Sequence, residues 1–181
     1  MYIAAPLLLL AYGVIRLIDG RDGAHGPGPA WTTGHLLFLA SLLIFGLIAL
    51  DVRRRLNTVP GAVAAAATLV GLIAFVKTVV IDIVVGLRAS DHEAMHAVRE
   101  QYESGADRVV DPLSPLFPIG LAVLLVLLAV SRRVPWWSPV LAVCGFCSIV
   151  ATLDLLPVAA MLLLVALVPL ARERTPAAVT R

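Results

Sequence analysis

Lysine is almost missing from this chain. Of fourteen basic residues only Lys77 is a lysine, and the other thirteen are arginines. Charge of either sign is sparse: 14% of residues carry it, against about 25% in an ordinary soluble domain. The basic residues never gather into a patch that could follow a phosphate backbone, so no nucleic-acid partner is expected. Cysteine is limited to Cys144 and Cys147, both inside an apolar block, which excludes a disulfide framework. The first twenty residues lack a basic n-region and a small-x-small cleavage site, so they are expected to stay as a first helix.

What remains is hydrocarbon. The 181 residues are 60% hydrophobic, with a mean hydropathy of +0.96. The apolar residues fall in long blocks, and about 20 such residues span a bilayer as a helix. The sequence therefore predicts an all-α fold: one polytopic membrane helix bundle with spans at 2–18, 35–51, 61–86, 114–131, 137–153 and 155–171. A single helix over 137–171 would run to ~52 Å at ~1.5 Å per residue, beyond a ~30 Å hydrocarbon core. A reversal near Thr152 and Pro157 is the better reading.

Orientation follows from arginine bias. Arg53, Arg54 and Arg55 follow the second block, Arg132 and Arg133 the fourth, and Arg172 and Arg174 the sixth. Six spans put all three clusters on one side, predicting cytoplasmic termini in a plasma (inner) membrane. Trp31, Trp136 and Trp137 fall at block ends, as in an aromatic belt. The arginine preference and the Ala, Val and Leu content point to a high-GC bacterial genome. The outer loops are then 19–34, rich in turn residues, and 87–113. All four histidines, His25, His35, His92 and His96, fall on this outer side.

Within the second loop, His92-Glu93-Ala94-Met95-His96 fits H-E-x-x-H, the zinc-peptidase spacing. Ser90 and Glu93 also fit a capping box, and Gly105 a helix stop. The segment 91–104 thus reads as a short amphipathic helix. Its apolar face carries Ala94, Met95, Val98 and Tyr102; its polar face carries His92, His96, Arg99, Glu100 and Glu103. The metal reading assigns His92 and His96 as ligands, with Glu100, Glu103, Asp107, His25 or His35 completing the set. Against it, Glu93 already serves as a cap, and the positions that extend the motif are Arg99 and Tyr102. No cofactor is expected, with zinc the one alternative.

Ionisable groups within spans are expensive and mark function by default. Lys77 and Asp82 lie in the outer part of the third block and Asp154 at the last outer turn, giving three candidate catalytic groups. Arg16, Asp19 and His35 are the candidate ligand-pocket residues beside them. Snorkelling to the headgroups is the plain alternative for Arg16 and Lys77. Cys144-Gly145-Phe146-Cys147 has the redox spacing, but its depth in a span favours small residues packing between helices. Gly71, Gly120 and Gly145 are expected to do the same.

These readings converge on an outward-facing polar pocket that binds a small molecule or lipid, with enzymic action on an amphiphilic substrate as an extension. The alternatives are an accessory or structural subunit, with a membrane-protein partner or a homo-oligomer; a transporter or channel component; and a metal-binding hydrolase of the H-E-x-x-H kind. The bilayer itself is the first partner. The topology is checked by single cysteines at Ser90 and Asn57 in a chain whose native cysteines are alanine. A membrane-impermeant maleimide is expected to label Ser90→Cys in intact cells and Asn57→Cys only after lysis.

Overall fold

A computed structural model of the chain describes residues 1–22, 26–102, 105 and 107–172. Among these residues there is no strand. The helices are α1 (Ala4–Asp19), α2 (Pro29–Leu56), α3 (Val59–Arg88), α4 (His92–Glu100), the single turn α5 (Asp107–Val110), α6 (Leu116–Val130), α7 (Trp137–Ala151) and α8 (Leu156–Arg172). Four helical stretches are long and apolar enough to cross a membrane: Pro29–Leu56, Val59–Arg88, Arg108–Val130 and Leu153–Arg172. Trp137–Ala151 is apolar but shorter.

Local chemistry sets the boundaries. α2 begins six residues before the apolar block does, so the loop expected over 19–34 is shorter than the turn residues suggest. Pro29 explains the early start, because a proline in the first helical turn has no N–H to leave unpaired. At the other end Asn57 turns left-handed (φ 45°) and gives its N–H to the Arg53 carbonyl. Thr58 then caps α3, its hydroxyl oxygen accepting from Gly61 N at 3.2 Å. The reversal between α7 and α8 is a 3₁₀ turn at Leu153–Leu155, with Thr152 Oγ1 accepting from Asp154 N at 3.3 Å.

The six larger helices form a ring in the order α1, α2, α3, α6, α7, α8, with α8 closing against α1. Side-chain hydroxyls tie neighbours together: Ser41 donates to Ala5 O at 2.8 Å between α2 and α1, and Ser138 to Ala166 O between α7 and α8. At the end bearing the arginine clusters, Tyr2 donates to Asp51, which also takes Arg55 Nε at 2.9 Å. Arg133 reaches across to Arg55 O at 2.7 Å. This half of the ring is packed solid. Ile48 and Val52 of α2, Leu124, Leu125 and Leu128 of α6, and Leu167 and Leu170 of α8 are fully buried.

Small residues allow that closeness. A Cβ on Gly71 would fall on the backbone of Leu116 and Phe117, and one on Gly120 would meet Thr68 and the Ala64 carbonyl. α3 and α6 therefore touch through their main chains, the geometry that glycine permits in membrane bundles. Gly145 plays the same part between α7 and α8, facing the Ala159 carbonyl. The cysteines beside it do not: Cys144 and Cys147 are both exposed, turned off the packed stripe that Gly145 occupies. Gly71→Ala is expected to destabilise the bundle by about 1–3 kcal/mol through overpacking. Gly105→Ala, with nothing within 4 Å of the added carbon, should change little. Equilibrium unfolding in mixed micelles measures both.

Candidate functional site

The other half of the ring is open. Its polar centre is Asp82, near the end of α3. Arg99 of α4 binds one carboxylate oxygen, Asp82 Oδ1. His35 of α2 approaches the other with Nε2 3.8 Å from Oδ2. Trp31, one turn before His35, donates its indole N–H to the Asp82 carbonyl at 2.8 Å. Its ring fits where α3 has Gly86, at which any Cβ would strike the indole. His35 is only 6% exposed. Its Nδ1 lies 2.8 Å from the Trp31 carbonyl, and its ring packs between Trp31 (centroids 4.3 Å apart) and Tyr12 (5.3 Å). A carbonyl can only accept, so Nδ1 carries the proton. Arg16 of α1 hydrogen-bonds Tyr12 and lines a small pocket with Asp19, Trp31 and His35. Its Nε is buried with no partner.

From this polar end a cleft of ≈610 Å³ runs down between α2, α3, α6, α7 and α8. Its lining is almost wholly apolar. All five phenylalanines of the chain, Phe38, Phe45, Phe75, Phe117 and Phe146, are on its wall. They continue the stack that starts at His35: Tyr12 lies flat on Phe38 (4.7 Å), Phe38 meets Phe75 edge-on (5.6 Å), and Phe117 meets Phe146 (6.2 Å). Tyr12, His35, Thr78, Asp82 and Ser114 are the polar residues among the lining side chains, together with Cys147. On the α6 and α7 side, Ile119 and Val150 line the cleft and are also exposed at the bundle surface, Val150 at 88%.

The sequence candidates separate on this geometry. Arg16, Asp19 and His35 share one small pocket, and Asp82 meets His35. Lys77 does not join them; it pairs with Asp111 Oδ1 at 3.0 Å, outside the cleft lining. Asp154 is exposed in the α7–α8 turn and does not line the cleft. His92 and His96 stack edge-on with ring centroids 5.3 Å apart. Among the described residues, no group of three or more His, Cys, Asp or Glu side chains is placed to hold a metal, Glu100 included. His25 and Glu103 lie outside the described residues, as does the Asp107 side chain.

Arg99, Tyr12, Trp31 and the five phenylalanines are site residues that the sequence reading missed. Trp31, expected at a membrane interface, also bridges α2 and α3. Arg99, assigned to the polar face of its helix, turns to Asp82 because α4 lies on α3 with Met95 buried beneath it. α4 is also shorter than 91–104, and its cap differs. Asp91, not Ser90, is the N-cap: its Oδ1 accepts from Ala94 N at 2.8 Å, and Ser90 donates to its other oxygen at 2.9 Å. A carboxylate in that position also meets the positive end of the helix. Gln101, rather than Gly105, closes the helix.

No protein-family model, curated protein or solved structure matches this chain.

The cap has a pH signature. The Ala94 N–H, then the Ser90 hydroxyl, hold the Asp91 carboxyl below the usual carboxylate range. A lowered folded pKa stabilises α4 above the unfolded value and loses that contribution as pH falls through the folded one. Amide-exchange protection at Ala94, measured by NMR in micelles, is expected to be flat near neutrality and to collapse below about pH 4. Asp91→Ala is expected to lower it at every pH.

Proposed function

We propose that the chain is a six-span plasma-membrane protein with cytoplasmic termini, whose cleft binds an amphiphile from the outer side. The tail lies among the phenylalanines and the head at Asp82 and His35. The observation that carries this reading is the junction of the two environments. An apolar cleft of ≈610 Å³ ends on a cluster of polar side chains from four different helices. That volume falls in the ~300–1,000 Å³ range of small-molecule sites.

The cleft is open at its side rather than enclosed, so the acyl chains of a bilayer have access to its apolar wall. Ile119 and Val150 stand at its edge and face the lipid, so a chain can enter sideways without crossing water. The solid packing at the opposite end of the ring favours a binding site over a transport path. Enzymic action on the bound amphiphile stays within the reading, with His35 and Asp82 as the titratable groups at the head.

Ala122 of α6 lines the cleft and is half-buried. Ala122→Trp is expected to leave a monodisperse protein and to reduce co-purifying lipid, quantified by mass spectrometry after detergent extraction, by at least about tenfold. Equal lipid in the variant and the native chain would reject the cleft as the binding site.

A further inference from the structure

Two hydrogen-bond acceptors face one another at the head of the cleft, and among the described residues no side chain donates to either atom. His35 Nδ1 carries the ring proton, because its partner at 2.8 Å is the Trp31 carbonyl. In the neutral ring, Nε2 is then a lone pair. It looks at Asp82 Oδ2 across 3.8 Å, beyond hydrogen-bond range. Arg99 donates to Oδ1 and the Trp31 N–H to the Asp82 carbonyl, and neither makes a hydrogen bond to Oδ2. A direct imidazolium–carboxylate bond would draw the two atoms to about 2.7–2.9 Å. The observed gap is wider, and both residues line the cleft.

We infer that the amphiphile's head is a neutral vicinal diol, as in a glycerol- or sugar-headed lipid, with one hydroxyl donating to His35 Nε2 and the other to Asp82 Oδ2. This rests on the amphiphile reading above and names its head. Two acceptors call for two donors, which a vicinal diol provides on adjacent carbons. Charge separates the diol from an ammonium head. Arg16, Arg99, Asp19 and Asp82 already balance, so a further cation would sit unmatched near two guanidiniums. An anionic head would instead face the two acceptors without a proton to give either. Hydroxyls also accept, and the Arg16 Nε in the adjoining pocket has a proton and no acceptor.

The test uses the full chain in lipid nanodiscs and four photoreactive probes with the same diazirine-bearing alkyl chain. Their heads are 1-monoacylglycerol, its di-O-methyl ether, a primary ammonium and a phosphate. Cross-linked peptides are mapped by mass spectrometry. The diol probe is expected to label cleft peptides containing Ile119 or Phe146, with the dimethyl ether about tenfold weaker, equivalent to about 1.4 kcal/mol. His35→Phe keeps a ring in the stack and removes the acceptor. It should lower diol labelling towards, though not fully to, the level of the ether, because Asp82 still accepts, and leave ether labelling unchanged. Equal labelling by diol and ether in the native chain overturns the inference while leaving a hydrocarbon-binding cleft. Stronger labelling by the ammonium or the phosphate overturns it in favour of Asp82 or the arginines as the head-binding groups. Labelling of the cleft by none of the four overturns the amphiphile reading as well.

Discussion

Asp82 is one carboxylate close to the end of a thirty-residue apolar helix, and three other segments are organised around it. Such a group is costly away from water unless it is paired. Arg99 satisfies one oxygen and so fixes where α4 lies. His35 approaches the other, and Trp31 holds the main-chain carbonyl of the same residue, so α2 is set against α3 at this level. Tyr12 and Arg16 bring α1 to the same point. The polar end of the ring is arranged by this demand for partners. The opposite end is arranged by contact, with leucines and glycines interdigitating and backbones touching.

The two halves therefore use different physics. Small residues let α3 and α6 close at Gly71 and Gly120. Towards Asp82, bulky rings face inward and fill the space incompletely, leaving the cleft. Aromatic residues are only 6% of the chain, yet every phenylalanine is on that wall. Scarcity makes the placement informative: rigid, flat side chains hold a cavity open where leucines would repack to close it.

The helical architecture was legible because apolar block length is a one-dimensional signal. Each of the six blocks contains a helix, and the reversal at 152–157 follows from length alone. Arg16, Asp19, His35 and Asp82 were singled out because an ionisable group in an apolar run is conspicuous in sequence. Lys77 was conspicuous for the same reason, yet its partner Asp111 lies in the turn before α6, a pairing no spacing rule supplies. Arg99 was hidden by the opposite problem, since an arginine on an amphipathic helix looks like solvent-facing charge until the helix is docked. The five phenylalanines lie on four different helices and converge only in three dimensions. A count restricted to the outer halves of the blocks would have given a hint.

α4 has nine residues, fewer than the 12 to 15 or so that an isolated helix needs to persist in water. It is held to α3 by the buried Met95, the Asp82–Arg99 pair and a cation over the Tyr102 ring, with Arg88 5.7 Å from its centroid. Its free energy of opening is thus set by a few contacts, while the ring beneath opens only with the whole molecule. Local stability runs as a gradient along the bundle axis, steep at one end and shallow at the other. α4, joined to the polar end of the bundle through Arg99 and Asp82, is the segment expected to open at the least cost.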